Sequence, residues 1–174
     1  IIIGGFMKTR ITRVERSSDA VRSMVLTAIF SSISFVLSTF VVFPNMAPFQ
    51  HFMNVLAAIY LGPAYGTLSA LITGIMRMMS GRSILSVTGA VFGAFLSALL
   101  YKKTRKFYMA LLGEIIGTGI ISAIVSFPIM KYIYGIPLDK FYYYIPFFLA
   151  SSLMGSILGV LVLYKLKDLN KIPK

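Results

Sequence analysis

Long apolar runs alternate along this chain with short clusters of proline, glycine, amide and basic residues. The runs predict six helical spans and an all-α fold: an integral membrane bundle with spans at about 23–43, 52–61, 64–79, 84–101, 108–130 and 142–163. The first is rich in serine and threonine, whose hydroxyls can bond back to their own helix in lipid. Pro44 and Pro48 then break the chain into a loop. The second has about half of the roughly 20 residues needed to cross. It must therefore recruit the loop before it, form a partial helix, or act together with the third span. Gly62 and Pro63 predict a tight reversal between these two, since glycine closes helices and proline opens them.

The junction of the first two spans is unusually polar for its surroundings. It holds Asn45, Gln50, the chain's only histidine His51, and Asn54. Polar groups at a membrane boundary are costly unless they serve something, so this stretch is expected to form half of a small-molecule site, with Pro44 and Pro48 letting it fold over the bundle as a lid.

Composition supports lipid as the solvent: 57% of residues are hydrophobic, 13% are charged, and the mean hydropathy is +0.85. A net charge of +12 would suit nucleic acid only if the basic residues shared a water-facing surface with stacking aromatics, but they lie in blocks between apolar runs. No cysteine is present, which excludes disulfides and thiolate metal sites. Residues 1–6 precede Met7 and are expected to be a remnant of expression. Residues 7–22 form a basic N-terminal segment, 23–166 the membrane domain and 167–174 a basic tail. A signal peptide also opens with basic residues, but its apolar core is shorter than the run that follows here.

With six spans, both termini share one side with the loop between spans four and five. That side collects Lys8, Arg10, Arg13, Arg16, Arg22, Lys102, Lys103, Arg105, Lys106, Lys165, Lys167, Lys171 and Lys174, which is 13 of the 17 basic residues. The positive-inside bias therefore places both termini in the cytoplasm and the Asn45–His51 cluster outside.

Small residues recur four apart at Gly62 and Gly66, Gly89 and Gly93, Gly113 and Gly117, and Gly155 and Gly159, and they predict close helix packing. Candidate chemistry lies in the intramembrane polar residues. Arg77 follows Thr73 by one turn; Glu114 begins a ladder with Thr118, Ser122 and Ser126 that should face the interior. Glu114 is expected toward the cytoplasmic third of its helix, away from Arg77. Snorkelling to outer headgroups would account for Arg77, and an aromatic belt for Tyr142, Tyr143 and Tyr144, without any ligand. Amides, an imidazole and aromatic faces are also what a small planar heterocycle needs. Catalysis is poorly supported, because the chain offers one histidine, few acids and no GxxxxGK[ST] loop. Any ATP must be used by a partner subunit.

The segments PFQHFMNVLAAIYLGPAYG, LITGIMRMMSG, GAVFGAFLSALLYKKTRK and GEIIGTGIISAIVSFPI, within about residues 44–130, together resemble the ThiW family. These are substrate-binding S components of energy-coupling factor (ECF) transporters, proposed to take up the thiazole precursor of thiamin. The resemblance implies a six-helix fold with an outward-facing vitamin site, located in the plasma membrane of a prokaryote. It also implies a membrane coupling subunit and two cytoplasmic ATPases as partners, and no cofactor in this chain. Carried over, the motifs point to Gln50, His51, Asn54, Thr73, Arg77, Glu114 and Thr118 as substrate-binding residues, joined by Tyr144 from the aromatic run. Related S components dock through an alanine pair four apart in the first helix. Here Ala20, Met24, Ala28 and Ser32 form one small-residue ridge, and Ser23, Thr27 and Ser31 another. Alternatives are an S component for thiamin, riboflavin or biotin, a membrane enzyme acting on lipid head groups through Glu114 and Arg77, or a packing subunit without a pocket.

Overall fold

The computed structural model describes residues 2–41 and 46–169, with side chains from residue 18 onward. Pro44, Asn45, the side chains of Lys8 to Arg16, and the last lysines lie outside the described residues. Those described form six helices and no strand: α1 Ile2–Phe40, α2 Pro48–Tyr60, α3 Gly62–Met79, α4 Leu85–Thr104, α5 Phe107–Ile133 and α6 Ile145–Asp168. Four are long and apolar enough to cross a membrane: the Ser18–Phe40 part of α1, then α4, α5 and α6.

Helix α2, with 13 residues, spans only about 20 Å. It begins at Pro48, whose missing N–H costs nothing at a helix start, and ends where Gly62 takes a left-handed φ of +71°. The chain then doubles back, so that Gly66 packs on the Ala57 carbonyl and Arg77 reaches Gln50. Of the three options left open for the short span, the fold takes a partial helix paired with its successor.

Pairings fix the helix directions. Gln50 and Asn54 on α2 meet the Ser86 and Ala90 carbonyls on α4, and Pro48 and Val55 face Gly155 and Gly159 on α6, so α2, α4 and α6 run parallel. Helix α3 runs against α4, with Gly74 on Ser86 and Val87. Helix α5 also runs against α4, with Gly113 on Leu96 and Ser97 and Gly117 on Phe92 and Gly93. Of the small residues read from the sequence, Gly66, Gly113, Gly117 and Gly155 are points where backbones touch, whereas Gly89 meets the Phe148 ring and Gly62 serves only the turn.

The polarity of the bundle is that expected in lipid. Val25, Ile29, Ile33 and Val36 point outward from α1, while Thr27, Ser31, Ser34 and Ser38 are buried. This separates the two ridges of α1. The Thr27–Ser31 face packs on α3, where Ser31 Oγ lies 3.1 Å from Ser69 Oγ and Thr73 Oγ1 donates to the Ser31 carbonyl at 3.3 Å. The other ridge is outward, with Met24 62% exposed and Ala28 and Ser32 exposed beside it. Ser31→Ala is expected to destabilise by about 0.6 kcal/mol, typical of one interhelical hydrogen bond in a membrane bundle. Thermal unfolding in detergent checks this.

Helix α5 is not a plain α-helix. Its turns widen to π-helical over Ile115–Ser122 and again over Ile129–Ile133. The second widening follows Pro128, which lacks the N–H for a normal rung and crowds the preceding turn. The first holds Thr118 and Ser122 of the polar ladder, with Glu114 just before it and Ser126 just after, and all four are fully buried.

Candidate functional site

One end of the bundle gathers the starts of α2, α4 and α6, the end of α3 and the middle of α5 around a cavity of about 270 Å³. Met46 and Ala47 line it, and the Ala47 N–H donates to Ser151 Oγ at 2.8 Å, tying the segment before α2 to α6. Gln50, His51, Arg77, Arg82, Ser86, Gly89, Thr118, Phe148 and Ser151 line its walls. At the other end, Val55, Ala58, Ile59, Ala98, Tyr101, Phe107, Ala110, Val160 and Leu163 form a packed apolar cluster. These residues follow the site along α2, α4 and α6 and precede it along α5, so the cluster closes the cavity from below.

His51 is oriented from behind. Its Nδ1 lies 2.8 Å from Glu114 Oε1, which also accepts from Asn54 Nδ2 at 3.0 Å and Thr118 Oγ1 at 3.0 Å. A carboxylate oxygen accepts, so Nδ1 is the third donor to it, which leaves Nε2 unengaged by Glu114. Asn54 Nδ2 uses its second hydrogen on the Ala90 carbonyl at 3.2 Å, and the single hydroxyl hydrogen of Thr118 is shared between Glu114 Oε1 and the Gly89 carbonyl at 3.2 Å. Glu114 Oε2 is buried and has no hydrogen-bond partner among the described residues. The arrangement holds the imidazole against the cavity from a fully buried carboxyl group.

On the opposite wall, Arg77 donates through Nη1 to Gln50 Oε1, and Gln50 Nε2 lies 3.4 Å from the Ser86 carbonyl. Arg77 is only 7% exposed, so it turns into the bundle and does not snorkel outward. Its carbonyl accepts from the Arg82 N–H at 3.1 Å, which brings the second arginine back to the rim.

Glu114 falls in the first third of α5, as its place in the sequence implies, and α2 reaches down to it. The carboxyl group lies directly behind His51, because α2 carries Asn54 well below the rim and Gly93 and Gly117 let α4 and α5 close around it. It shares no hydrogen bond or ion pair with Arg77 among the described residues. Of the other residues read from sequence, Gln50, His51, Arg77 and Thr118 line the cavity. Asn54 and Glu114 support them from behind. Thr73 is fully buried between α1 and α3, where its hydroxyl bonds the Ser69 carbonyl at 2.9 Å and the Ser31 carbonyl, away from the cavity. Tyr144 is buried against Phe148 and Tyr143, and it is Phe148 that presents a ring to the cavity.

Sequence reasoning missed Ser86, Phe148 and Ser151. Phe148 and Ser151 lie one turn apart on α6, one and two turns after Tyr144, so that spacing was the available signal. It also assigned the glycines to packing alone, whereas Gly89 lines the cavity and Gly93 makes room for Thr118 and Glu114.

The sequence matches the family described as thiamine-precursor transporter protein (ThiW) over residues 24–169. No curated protein matches it.

Proposed function

This chain belongs to the ThiW family of thiamine-precursor transporters, and on that premise we propose that it is the substrate-binding S component of an ECF importer whose ligand is hydroxyethylthiazole. The observation that carries the reading is the cavity itself. It is small, it combines an aromatic ring with a few oriented polar groups, and it lies at the end of the bundle away from Lys102, Lys103, Arg105 and Lys165. In this reading the six helices form the membrane bundle, with α2 as a partial span paired with α3, both termini are cytoplasmic, and the cavity opens outside. The ligand hydroxyl donates to His51 Nε2, the thiazole ring packs on Phe148, and Arg77 holds Gln50 in place.

The closed floor bears on transport. A ligand bound above the apolar cluster has no polar route through the bundle, so release inside calls for movement of the whole loaded subunit. Such movement fits a chain without a nucleotide-binding loop, driven by a membrane coupling subunit and two ATPases. The outward ridge of Ala20, Met24, Ala28 and Ser32 is the proposed docking face. A membrane enzyme acting through Glu114 and Arg77 loses its reacting pair, since each is engaged elsewhere.

Equilibrium binding to the purified protein tests the ligand. Hydroxyethylthiazole is expected to bind, and affinity for thiamin, riboflavin or biotin in its place would reject the substrate while keeping the class. His51→Ala is expected to weaken binding by about 1 to 3 kcal/mol, the cost of one lost buried hydrogen bond. Unchanged affinity would remove His51 from the site.

A further inference from the structure

Arg77 presents a charge problem that a neutral ligand does not solve. It is 7% exposed, its one hydrogen bond is to the uncharged amide of Gln50, and its Nε is buried without a partner among the described residues. A buried charge is expensive unless it is paired. The cavity also carries Arg82 on its rim, tied to the Arg77 carbonyl. No aspartate or glutamate lines the cavity.

Among the described residues no acid pairs with either guanidinium group. Glu15 and Asp19 precede the first apolar run, Asp168 ends α6, and Asp139 is exposed in the segment between α5 and α6. Glu114 already accepts from His51, Asn54 and Thr118, and lies behind the cavity wall. Two guanidinium groups therefore share one small space with no carboxylate between them. Guanidinium forks match carboxylate and phosphate oxygens, and such charge-assisted bonds are about twice as strong as neutral ones.

We propose that Arg77 and Arg82 form an anion subsite at the mouth of the cavity, so that the preferred ligand is a small heteroaromatic bearing a carboxylate or phosphate. This deepens the thiamine-precursor reading and rests on it for the ring: the substrate class becomes a thiazole with an anionic arm. Arg77 reaches the arm from within the wall and Arg82 closes on it from the rim. The same field disfavours cationic ligands, so a thiazolium such as thiamin itself is turned away.

The test is equilibrium binding of hydroxyethylthiazole, its phosphate monoester and a methylthiazole carboxylate to the protein and to Arg82→Gln, a substitution at an exposed position whose folding is checked by thermal unfolding. The better of the two anionic ligands is expected to bind about tenfold more tightly than the alcohol at low salt, with an advantage that shrinks as ionic strength rises. In Arg82→Gln the ratio of anionic to neutral affinity should fall to within about twofold of one, and Arg77→Gln should remove it where that variant folds. Which arm wins distinguishes carboxylate from phosphate. An alcohol that binds as tightly as both anions overturns the proposal, as does an anion advantage that survives in Arg82→Gln. If no thiazole of any charge binds, the thiamine-precursor reading fails, and inorganic phosphate then decides the subsite. Thermal stabilisation by phosphate that is lost in Arg82→Gln supports the subsite, and no stabilisation overturns it.

Discussion

Replacing Glu114 with alanine is expected to abolish ligand binding and to destabilise the protein by about 1 to 3 kcal/mol for each buried donor left without an acceptor. Three donors, His51 Nδ1, Asn54 Nδ2 and Thr118 Oγ1, converge on one oxygen of the carboxyl group that this substitution removes. His51 Nδ1 and Asn54 Nδ2 then lose an acceptor in side chains that are at least 95% buried, while Thr118 keeps the Gly89 carbonyl. His51 would then lose the bond that sets its ring, and with it the orientation of Nε2 toward the cavity. Glu114→Gln keeps the shape and one acceptor oxygen, and should recover a substantial part of the stability. Thermal unfolding in detergent and equilibrium ligand binding measure both effects. An alanine variant that binds within about twofold of wild type would remove the carboxyl group from the site, because a lost buried bond costs more than that.

Gly93→Ala should have the next largest effect, although Gly93 contributes no side chain to the site. A β-carbon there would overlap Thr118 Oγ1 and the Glu114 carboxyl group, both already fixed by hydrogen bonds. Overpacking of this kind typically costs about 1 to 3 kcal/mol. The displaced groups are the ones that hold His51, so affinity should fall by at least about tenfold alongside stability. Gly66→Ala is the comparison, since its added carbon would meet only the Ala57 carbonyl at 3.3 Å, far from the cavity. It should lose less stability and leave binding close to wild type. Equal binding losses in the two variants would show that the Gly93 effect is general loosening of the bundle.

The resemblance to ThiW carried in four sequence segments is borne out by a family match over residues 24–169. The all-helical class, the turn at Gly62 and Pro63, and the small-residue contacts were also legible, because each rests on local chemistry: apolar length, helix-ending residues, and backbones that can approach only where side chains are small. The polar ladder on α5 was legible for the same reason. What it faced was not. Placing Glu114 behind His51 depends on how deep α2 reaches, and a 13-residue helix paired with α3 can sit at many depths as far as its own residues are concerned.

His51 shows where the boundary lies. Its isolation in the sequence marked it as notable, and its neighbours Gln50 and Asn54 suggested a polar cluster, but those three residues do not bond to one another. Gln50 turns to Arg77, while His51 and Asn54 turn to Glu114. Thr73 and Tyr144 passed the same tests of polarity and position, yet pack away from the cavity wall, one against α1 and the other behind Phe148.

By itself the sequence determined that this is an all-helical chain suited to lipid, where its charge gathers, which helices pack closely, and which few polar residues lie within apolar runs. These follow from composition and spacing along one dimension. Only the tertiary structure decided that Glu114 orients His51, that Arg77 is buried without a carboxylate partner, that Phe148 supplies the ring, and that an apolar cluster closes the cavity below. Those facts depend on which faces of separate helices meet and at what height. That is set jointly by glycine contacts, hydrogen bonds and side-chain volume across the bundle, and no single segment encodes it.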